Sequence, residues 1–258
     1  MAVDESILNS HLAGHVPATL RLYEFSPPAV SLGYAQTLSE THLAQLENLG
    51  LDIVRRPTGG RAVLHLKDLT YSFIAPVGST AFSGESPSLS SSVVEAHKEI
   101  CAALILTFAQ FGVRLELGRS QSNYRHLNDC FEATTTADLH FEGRKVVGSA
   151  QLRRKSALLQ HGSIVLEASS TMLSDLLAEE QARSDRDQLK RPGSLFDLAG
   201  RALSAAEFNQ AFKSGFGEAF GVSFCDGQLT DFELTEAARL KPGYRISPLL
   251  SPQEAHQR

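Results

Sequence analysis

Residues 55–65 read Arg-Arg-Pro-Thr-Gly-Gly-Arg-Ala-Val-Leu-His (RRPTGGRAVLH). Arg55 and Arg56 close an apolar strand candidate, LDIVRR (51–56). Pro57 ends it, and Thr58 leads into the glycine pair Gly59-Gly60. Arg61 follows the pair and His65 closes the run. Glycines let a backbone approach a ligand closely, and positive charge on both sides suits a phosphate, a carboxylate or a polar acyl-carrier arm. A plain glycine hairpin turn with solvated arginines fits these residues about equally well. No GK[ST] follows, so this is not a P-loop, and no GxGxxG fingerprint is present.

Outward from this stretch, residues 18–24 (ATLRLYE), the AVSLGYA run after Pro27-Pro28, LTYSFIAP (69–76) and ALLQHGSIVLE (157–167) read as strands. ADLHFEGRKVVGSAQLRR (137–154) reads as a hairpin turning at Glu142-Gly143. Met1 to His11 reads as a short amphipathic helix with Val3, Ile7 and Leu8 on one face. Its position suggests that a strand precedes it outside this sequence. Ser39 to Leu49 is helical and stops at Gly50. Ser92-Val93-Val94-Glu95 is a capping-box pattern opening the longest helix, along which Val93, His97, Ile100, Leu104, Phe108 and Phe111 recur at helical spacing.

Residues 78–92 read as a loop, and 118–136 as polar and irregular. The last third is mainly helical, interrupted by the charged run RSDRDQLKRPG. Ser204-Ala205-Ala206-Glu207 is a second capping box, followed by a stripe of Phe208, Phe212, Phe216 and Phe220. Strands, a helix, more strands and then helices predict one α/β (α+β) domain over residues 1–258. It has a mixed β-sheet flanked by helices and no separate C-terminal accessory domain.

The chain has 258 residues, of which 42% are hydrophobic and 21% charged, and its net charge is -5. That composition excludes disordered, collagenous and disulfide-scaffold classes. No apolar run approaches the ~18 residues of a membrane span. A pI near 6.0 argues against a dedicated nucleic-acid binder. The N-terminus lacks a basic region followed by an apolar run, so the expected compartment is the cytoplasm. Cys101, Cys130 and Cys225 are widely spaced and form no CxxC pair, so no metal site is expected.

Three further segments could carry chemistry. In Gly143–Gln151, Lys145 opens a strand that continues into the small residues Gly148, Ser149 and Ala150. A lysine aimed into a desolvated pocket could neutralise an oxyanion, although a surface lysine is the commoner explanation. Cys101 and Cys225 suit structural positions, in a helix and a plausible strand. Cys130 lies in a polar loop instead, where a thiol gains little from packing and needs a nearby cation such as Lys145 or His65 to become a thiolate. In Leu159–Ile164, Gln160, His161 and Ser163 interrupt an apolar strand, and a lone histidine there is more often structural than catalytic.

RRPTGGRAVLH, LTYSFI, EGRKVVGSAQLRR and LLQHGSI, in this order, resemble the lipoate-protein ligase and octanoyltransferase superfamily. SPPAVSLGYAQ upstream and the helical end through Tyr244 extend that resemblance over nearly the whole chain. It implies the biotin/lipoate protein ligase-like fold around an acyl-binding tunnel. Within the superfamily, ATP-dependent ligases typically carry a third glycine after the pair and a His-Asp step. Here Arg61 and His65-Leu66 stand in those places. The sequence is more similar to the cysteine-dependent octanoyltransferases, whose nucleophilic cysteine precedes the GRK lysine by 15 residues in a Cys-Phe pair, as Cys130-Phe131 precedes Lys145. Leu66, where those enzymes usually have an acidic residue, and Ala133-Thr134-Thr135-Thr136 depart from their pattern.

The resemblance implies that Cys130 takes an octanoyl or lipoyl group from octanoyl-acyl carrier protein as a thioester. It then passes the group to a lysine of a lipoyl domain, on the glycine-cleavage H protein or a dehydrogenase E2 subunit. No cofactor is required, and neither nucleic acid nor membrane takes part. Lys145 binds the acyl carbonyl. Arg55, Arg56, Thr58, Gly59, Gly60, Arg61, His65, Gly148, Ser149 and Ala150 surround the substrate, and His161 orients the amine. The alternatives are an ATP- and Mg-dependent lipoate ligase acting through lipoyl-AMP, an amidotransferase between lipoyl domains, and a non-catalytic acyl-binding protein.

Overall fold

A computed structural model describes residues 1–78, 88–118, 138–169, 171–177 and 191–246. Two sheets organise the chain. The larger contains β1 (Thr19–Tyr23), β5 (Asp68–Pro76), β9 (Ala157–Val165), β8 (Arg144–Arg154), β7 (Leu139–Phe141) and β6 (Glu116–Leu117), in that spatial order. Every pairing within it is antiparallel. The smaller sheet has β2 (Ala29–Leu32) between β3 (Asp52–Arg55) and β4 (Val63–His65). Its β2–β3 pairing is parallel and its β2–β4 pairing antiparallel. Helices flanking a β layer match the α+β expectation, with the mixed pairing confined to the small sheet.

Strand alternation decides which residues reach the core and which reach the site. On β5, Leu69, Tyr71, Phe73 and Ala75 pack into the core beneath α3 (Val93–Ala109) and α6 (Ala205–Phe220). The opposite face carries Thr70, Ser72 and Ile74, and Ile74 packs with Ile7 and Leu8 of α1 (Ala2–Leu12). On β9, Leu158 and Ile164 join the first core and Leu159 the second. His161 and Ser163 therefore share the α1-side face. In the small sheet, Val30 and Leu32 pack against Leu46 of α2 (Glu40–Asn48) and Leu173 of α4 (Leu173–Leu177). Ala29 and Ser31 point the other way.

Local signals explain the boundaries. Ser39 caps α2, and Gly50 beyond its end takes φ +74°. Glu142 and Gly143 both have positive φ, as a two-residue hairpin turn demands. Ser204 and Glu207 form a reciprocal capping box, and the phenylalanine stripe of α6 enters the core. At α3 only half of the box forms: Ser92 Oγ accepts from the Glu95 N–H, while the Glu95 carboxylate pairs with Lys98. Val93 is exposed, and Phe111 lies past the helix end. A further box, Thr230 with Glu233, opens α7 (Asp231–Leu240). α5 (Leu195–Ala199) ends at Gly200.

Other expectations need correction. The buried residues of α1 include Asp4, Ser6 and Ser10 besides Ile7 and Leu8, and Asp4 is buried because Arg21, Tyr23 and Ser72 donate to its carboxylate. Cys225 is exposed and in no strand, in the stretch between α6 and α7. The polar segment carrying Cys130 and most of the charged run before Gly193 lie outside the described residues. No described helix is long and apolar enough to cross a membrane.

Candidate active site

The cavity lies where the small sheet meets the α1-side face of the large one. It spans about 480 Å³, its open mouth included. Its lining comes from β2 (Ser31), the glycine loop (Arg56, Gly60), β4 (Val63, His65), β5 (Thr70), β8 (Lys145, Gly148, Ser149, Ala150) and β9 (His161, Gly162, Ser163), with Met1 and Asp138. The sequence is read as local patches, yet residues more than a hundred positions apart converge here.

The glycine loop is held by its own arginines. Arg56 is buried and donates to the Ser31 carbonyl at 2.8 Å, the Gly59 carbonyl at 2.9 Å and the Arg61 carbonyl at 2.6 Å. Arg55 donates to the carbonyls of Gly33, Tyr34 and Gln36 at 3.1, 3.0 and 2.6 Å, and desolvation lowers its pKa. Both side chains thus satisfy backbone acceptors of the loops around the cavity. Of the expected loop residues, Arg56 and Gly60 reach the lining, while Arg55, Thr58, Gly59 and Arg61 stand behind it. Gly33 explains the closeness of the two loops: a Cβ there would sit 2.0 Å from the Gly60 carbonyl oxygen.

The β8–β9 wall is equally close-packed. A Cβ on Gly162 would meet Tyr71 at 2.5 Å and both the Gly148 carbonyl and Ser149 Oγ at 2.7 Å. Tyr71 Oη lies 2.8 Å from Ser149 Oγ and accepts from Gln160 Nε2 at 3.0 Å. Burial pushes the Tyr71 hydroxyl well above its ordinary range, so it stays protonated.

Lys145 Nζ lies 2.9 Å from Asp138 Oδ1, and both side chains are buried. The hairpin register that places His140 opposite Lys145 brings Asp138 alongside. An ammonium held at the cavity wall in a low-dielectric setting can neutralise charge developing on a bound carbonyl. Cys101 packs nearby with its Sγ 3.3 Å from His97 Nε2. Burial, reinforced by the Asp138 charge, pushes its thiol up to about 12. It is a packing residue rather than a nucleophile.

His161 Nε2 lies 2.7 Å from Thr58 Oγ1. Its Nδ1 is buried with no hydrogen-bond partner among the described residues, and Asp4 Oδ2 is 3.9 Å away. Burial lowers the His161 pKa, and the nearby Asp4 carboxylate only partly opposes it. Asp4 itself accepts from Arg21 at 2.7 Å, Tyr23 at 2.7 Å and Ser72 at 2.9 Å.

Sequence reasoning missed Ser31, Asp68 and Asp138, and marked Ser163 as a polar interruption of a strand without giving it a role. Ser31 Oγ lies 2.9 Å from His65 Nε2, His65 Nδ1 lies 2.7 Å from Asp68 Oδ2, and Ser163 Oγ donates to the same carboxylate oxygen at 2.6 Å. A signal for Ser31 and Ser163 was available: each is a polar residue amid apolar strand positions. A second cavity, about 610 Å³ with its open mouth included, shares Ser163 with the first and is lined by Leu64, Leu66, Val165, Met172 and Leu173 together with Lys67, Asp68, Glu167 and Arg191.

The comparisons with known proteins agree with this architecture. Residues 1–217 match the family model described as the lipoyl protein ligase A/B catalytic domain. A protein of Carboxydothermus hydrogenoformans named octanoyltransferase LipM is 37% identical over 235 residues, covering 89% of this chain and 85% of the relative. Its namesake in Brevibacillus brevis is 37% identical over 252 residues, covering 93% and 89%. Among solved structures, a lipoate-protein ligase A bound with ATP superposes with a TM-score of 0.70 at 25% identity, covering 93% of this chain and 87% of that one. The shared sheet arrangement and the long family match lead to one conclusion: this chain belongs to the lipoyl protein ligase A/B catalytic domain family.

Proposed function

We propose that this protein is an octanoyltransferase of protein lipoylation working through a covalent intermediate on Cys130. The observation that carries this reading is the likeness to octanoyltransferases over 89% and 93% of the chain. It is supported by a cavity walled by a buried lysine, small residues and a glycine loop. The ATP-dependent ligase, amidotransferase and non-catalytic alternatives are not favoured, because the relatives carry the transferase name over most of their length.

In this reading the Cys130 thiolate attacks the thioester carbonyl of octanoyl-acyl carrier protein. A C–S bond to Cys130 forms, the carrier C–S bond breaks, and the carrier sulfur leaves as a thiolate that takes up a proton. The ε-amine of a lipoyl-domain lysine, on a glycine-cleavage H protein or a dehydrogenase E2 subunit, then attacks the enzyme thioester. An amide forms and Cys130 is released. Thioester exchange is near balanced and amide formation drives the sequence, so neither ATP nor a metal is needed.

Lys145 holds the carbonyl oxygen as charge develops on it, and Asp138 holds Lys145. Gly148, Ser149 and Ala150 leave room for the acyl carbonyl, and the glycine loop closes the opposite wall. Leu64, Leu66, Val165, Met172 and Leu173 in the second cavity suit the hydrocarbon end of the chain. A nucleophilic thiol is readily kept reduced in the cytoplasm, which supports a cytoplasmic location.

The test is to mix the protein with octanoyl-acyl carrier protein without ATP, read its intact mass and map the adduct. The expected result is one hydroxylamine-labile octanoyl group on Cys130, discharged by a lipoyl domain and absent from Cys130→Ser. Labelling of the lipoyl domain only from free acid plus ATP would overturn the reading.

A further inference from the structure

The cavity holds a polar chain that the scheme above leaves unused. Ser31, His65 and Asp68 are joined end to end at 2.9 and 2.7 Å and are all buried. They come from β2, β4 and the first residue of β5, so they bridge the two sheets. Their other partners decide where the protons sit. Arg56 Nη1, which can only donate, lies 3.3 Å from Ser31 Oγ, leaving that hydroxyl free to donate its own proton. Asp68 accepts from Ser163 Oγ at 2.6 Å and sets the His65 ring with its proton on Nδ1. His65 Nε2 then faces the Ser31 O–H as an acceptor. Phe25 stacks on the imidazole with centroids 3.9 Å apart and planes 18° apart, which holds the ring's orientation.

A cluster that only knitted the sheets together would need no face on the cavity. Ser31, His65 and Ser163 all line it, on the same wall system as Lys145. The charged groups around the chain are Arg56 at Ser31 and Asp68 at His65, with Lys145 and Asp138 also in the lining.

We propose that Ser31 and His65, oriented by Asp68, form the proton-accepting relay for the amide-forming half of the reaction. The proposal rests on the acyl-transfer reading above. The acceptor lysine arrives as an ammonium, whose nitrogen has no lone pair with which to attack. One ammonium proton passes to Ser31 Oγ while the Ser31 proton passes to His65 Nε2, and Asp68 stabilises the imidazolium. The freed lone pair forms the C–N bond and the C–S bond to Cys130 breaks. A second nitrogen proton goes to the departing sulfur, the third stays on the amide, and His65 returns its proton to water. Ser31 touches the amine, and Asp68 is a positioning residue.

The experiment loads the enzyme from octanoyl-acyl carrier protein and follows single-turnover discharge to two acceptors, a lipoyl domain and hydroxylamine. Hydroxylamine is already largely neutral at neutral pH and has no need of the relay. In His65→Gln and Asp68→Asn, discharge to the lipoyl domain is expected to slow by about 100-fold or more. Discharge to hydroxylamine is expected to stay within about threefold of wild type, a selectivity that structural damage would not produce. Ser31→Ala, the smallest change, is expected to show the same split and serves if His65→Gln fails to fold. Equal slowing with both acceptors, or no slowing with either, would overturn the relay. Wild-type protein that forms no acyl-enzyme would instead overturn the transferase reading, and the relay with it.

Discussion

Thr58 Oγ1 and His161 Nε2, 103 positions apart in the chain, lie 2.7 Å apart in a buried contact that ties the glycine loop of the small sheet to β9 of the large one. One end of the imidazole is thereby satisfied, while the other has no hydrogen-bond partner among the described residues.

Burial lowers His161 below its ordinary value of 6.5, so the folded protein refuses a proton that the unfolded chain accepts. His140 is lowered for the same reason. The unfolded state binds more protons below about pH 6.5, and stability there must rise with pH. The stabilisation is complete above that value and is lost as the pH falls toward the folded-state values. The urea midpoint is therefore expected to drop between about pH 7.5 and about pH 5.5, and to drop less in His161→Gln. A variant whose midpoint falls as steeply as wild type would refute the assignment.

Gly33 is the tightest backbone contact of the site. Gly33→Ala places a methyl 2.0 Å from the Gly60 carbonyl, where only backbone can yield. Overpacking of this kind costs about 1–3 kcal/mol, and here it also displaces the cavity wall. Gly59, with nothing within 4 Å of a Cβ, should tolerate alanine within about 0.5 kcal/mol. Thermal unfolding of the two variants checks the contrast, and equal losses would contradict it.

Lys145→Met removes the ammonium beside Asp138 and leaves a buried carboxylate. Breaking such a pair costs about 3–5 kcal/mol. Loss of a group that stabilises a developing oxyanion costs about 10²–10³ in rate. Pairing it with Asp138→Asn should recover much of the stability and none of the activity. Denaturation midpoints and octanoyl transfer rates measure the two effects separately. A double variant as unstable as Lys145→Met alone would show that the ion pair is not what the mutation breaks.

Ser204→Ala removes the cap of α6, whose side chain accepts from the Glu207 N–H. A lost cap costs about 1 kcal/mol. No residue of α6 lines the cavity, so the melting temperature should fall while the transfer rate at 25 °C holds. A parallel loss of rate would mean that α6 is coupled to the site.

Much of the architecture was legible before any coordinates. The hairpin at Glu142-Gly143, the stop at Gly50, the cap at Ser204 and the phenylalanine stripe of α6 depend on neighbours within a few positions, and sequence records those directly. β4 and β6, three and two residues long, escaped because they are too short for periodicity to register. The polar buried face of α1 escaped too, since Asp4 belongs there only when Arg21, Tyr23 and Ser72 come to meet it.

What the sequence by itself determined is most of the longer elements, the family resemblance and the chemically suggestive lysine, histidines and glycine pair. Only the tertiary structure decided that Arg55 and Arg56 bind carbonyls of Gly33–Gln36 and Ser31–Arg61, and that Ser31, His65 and Asp68 form one chain of hydrogen bonds. The reason is physical. Capping and amphipathicity are local interactions, whereas a buried polar group takes whichever partner strand pairing brings within about 3 Å. Parallel pairing of β2 with β3, antiparallel pairing of β2 with β4, and the face that β9 shares with β5 set those partners here.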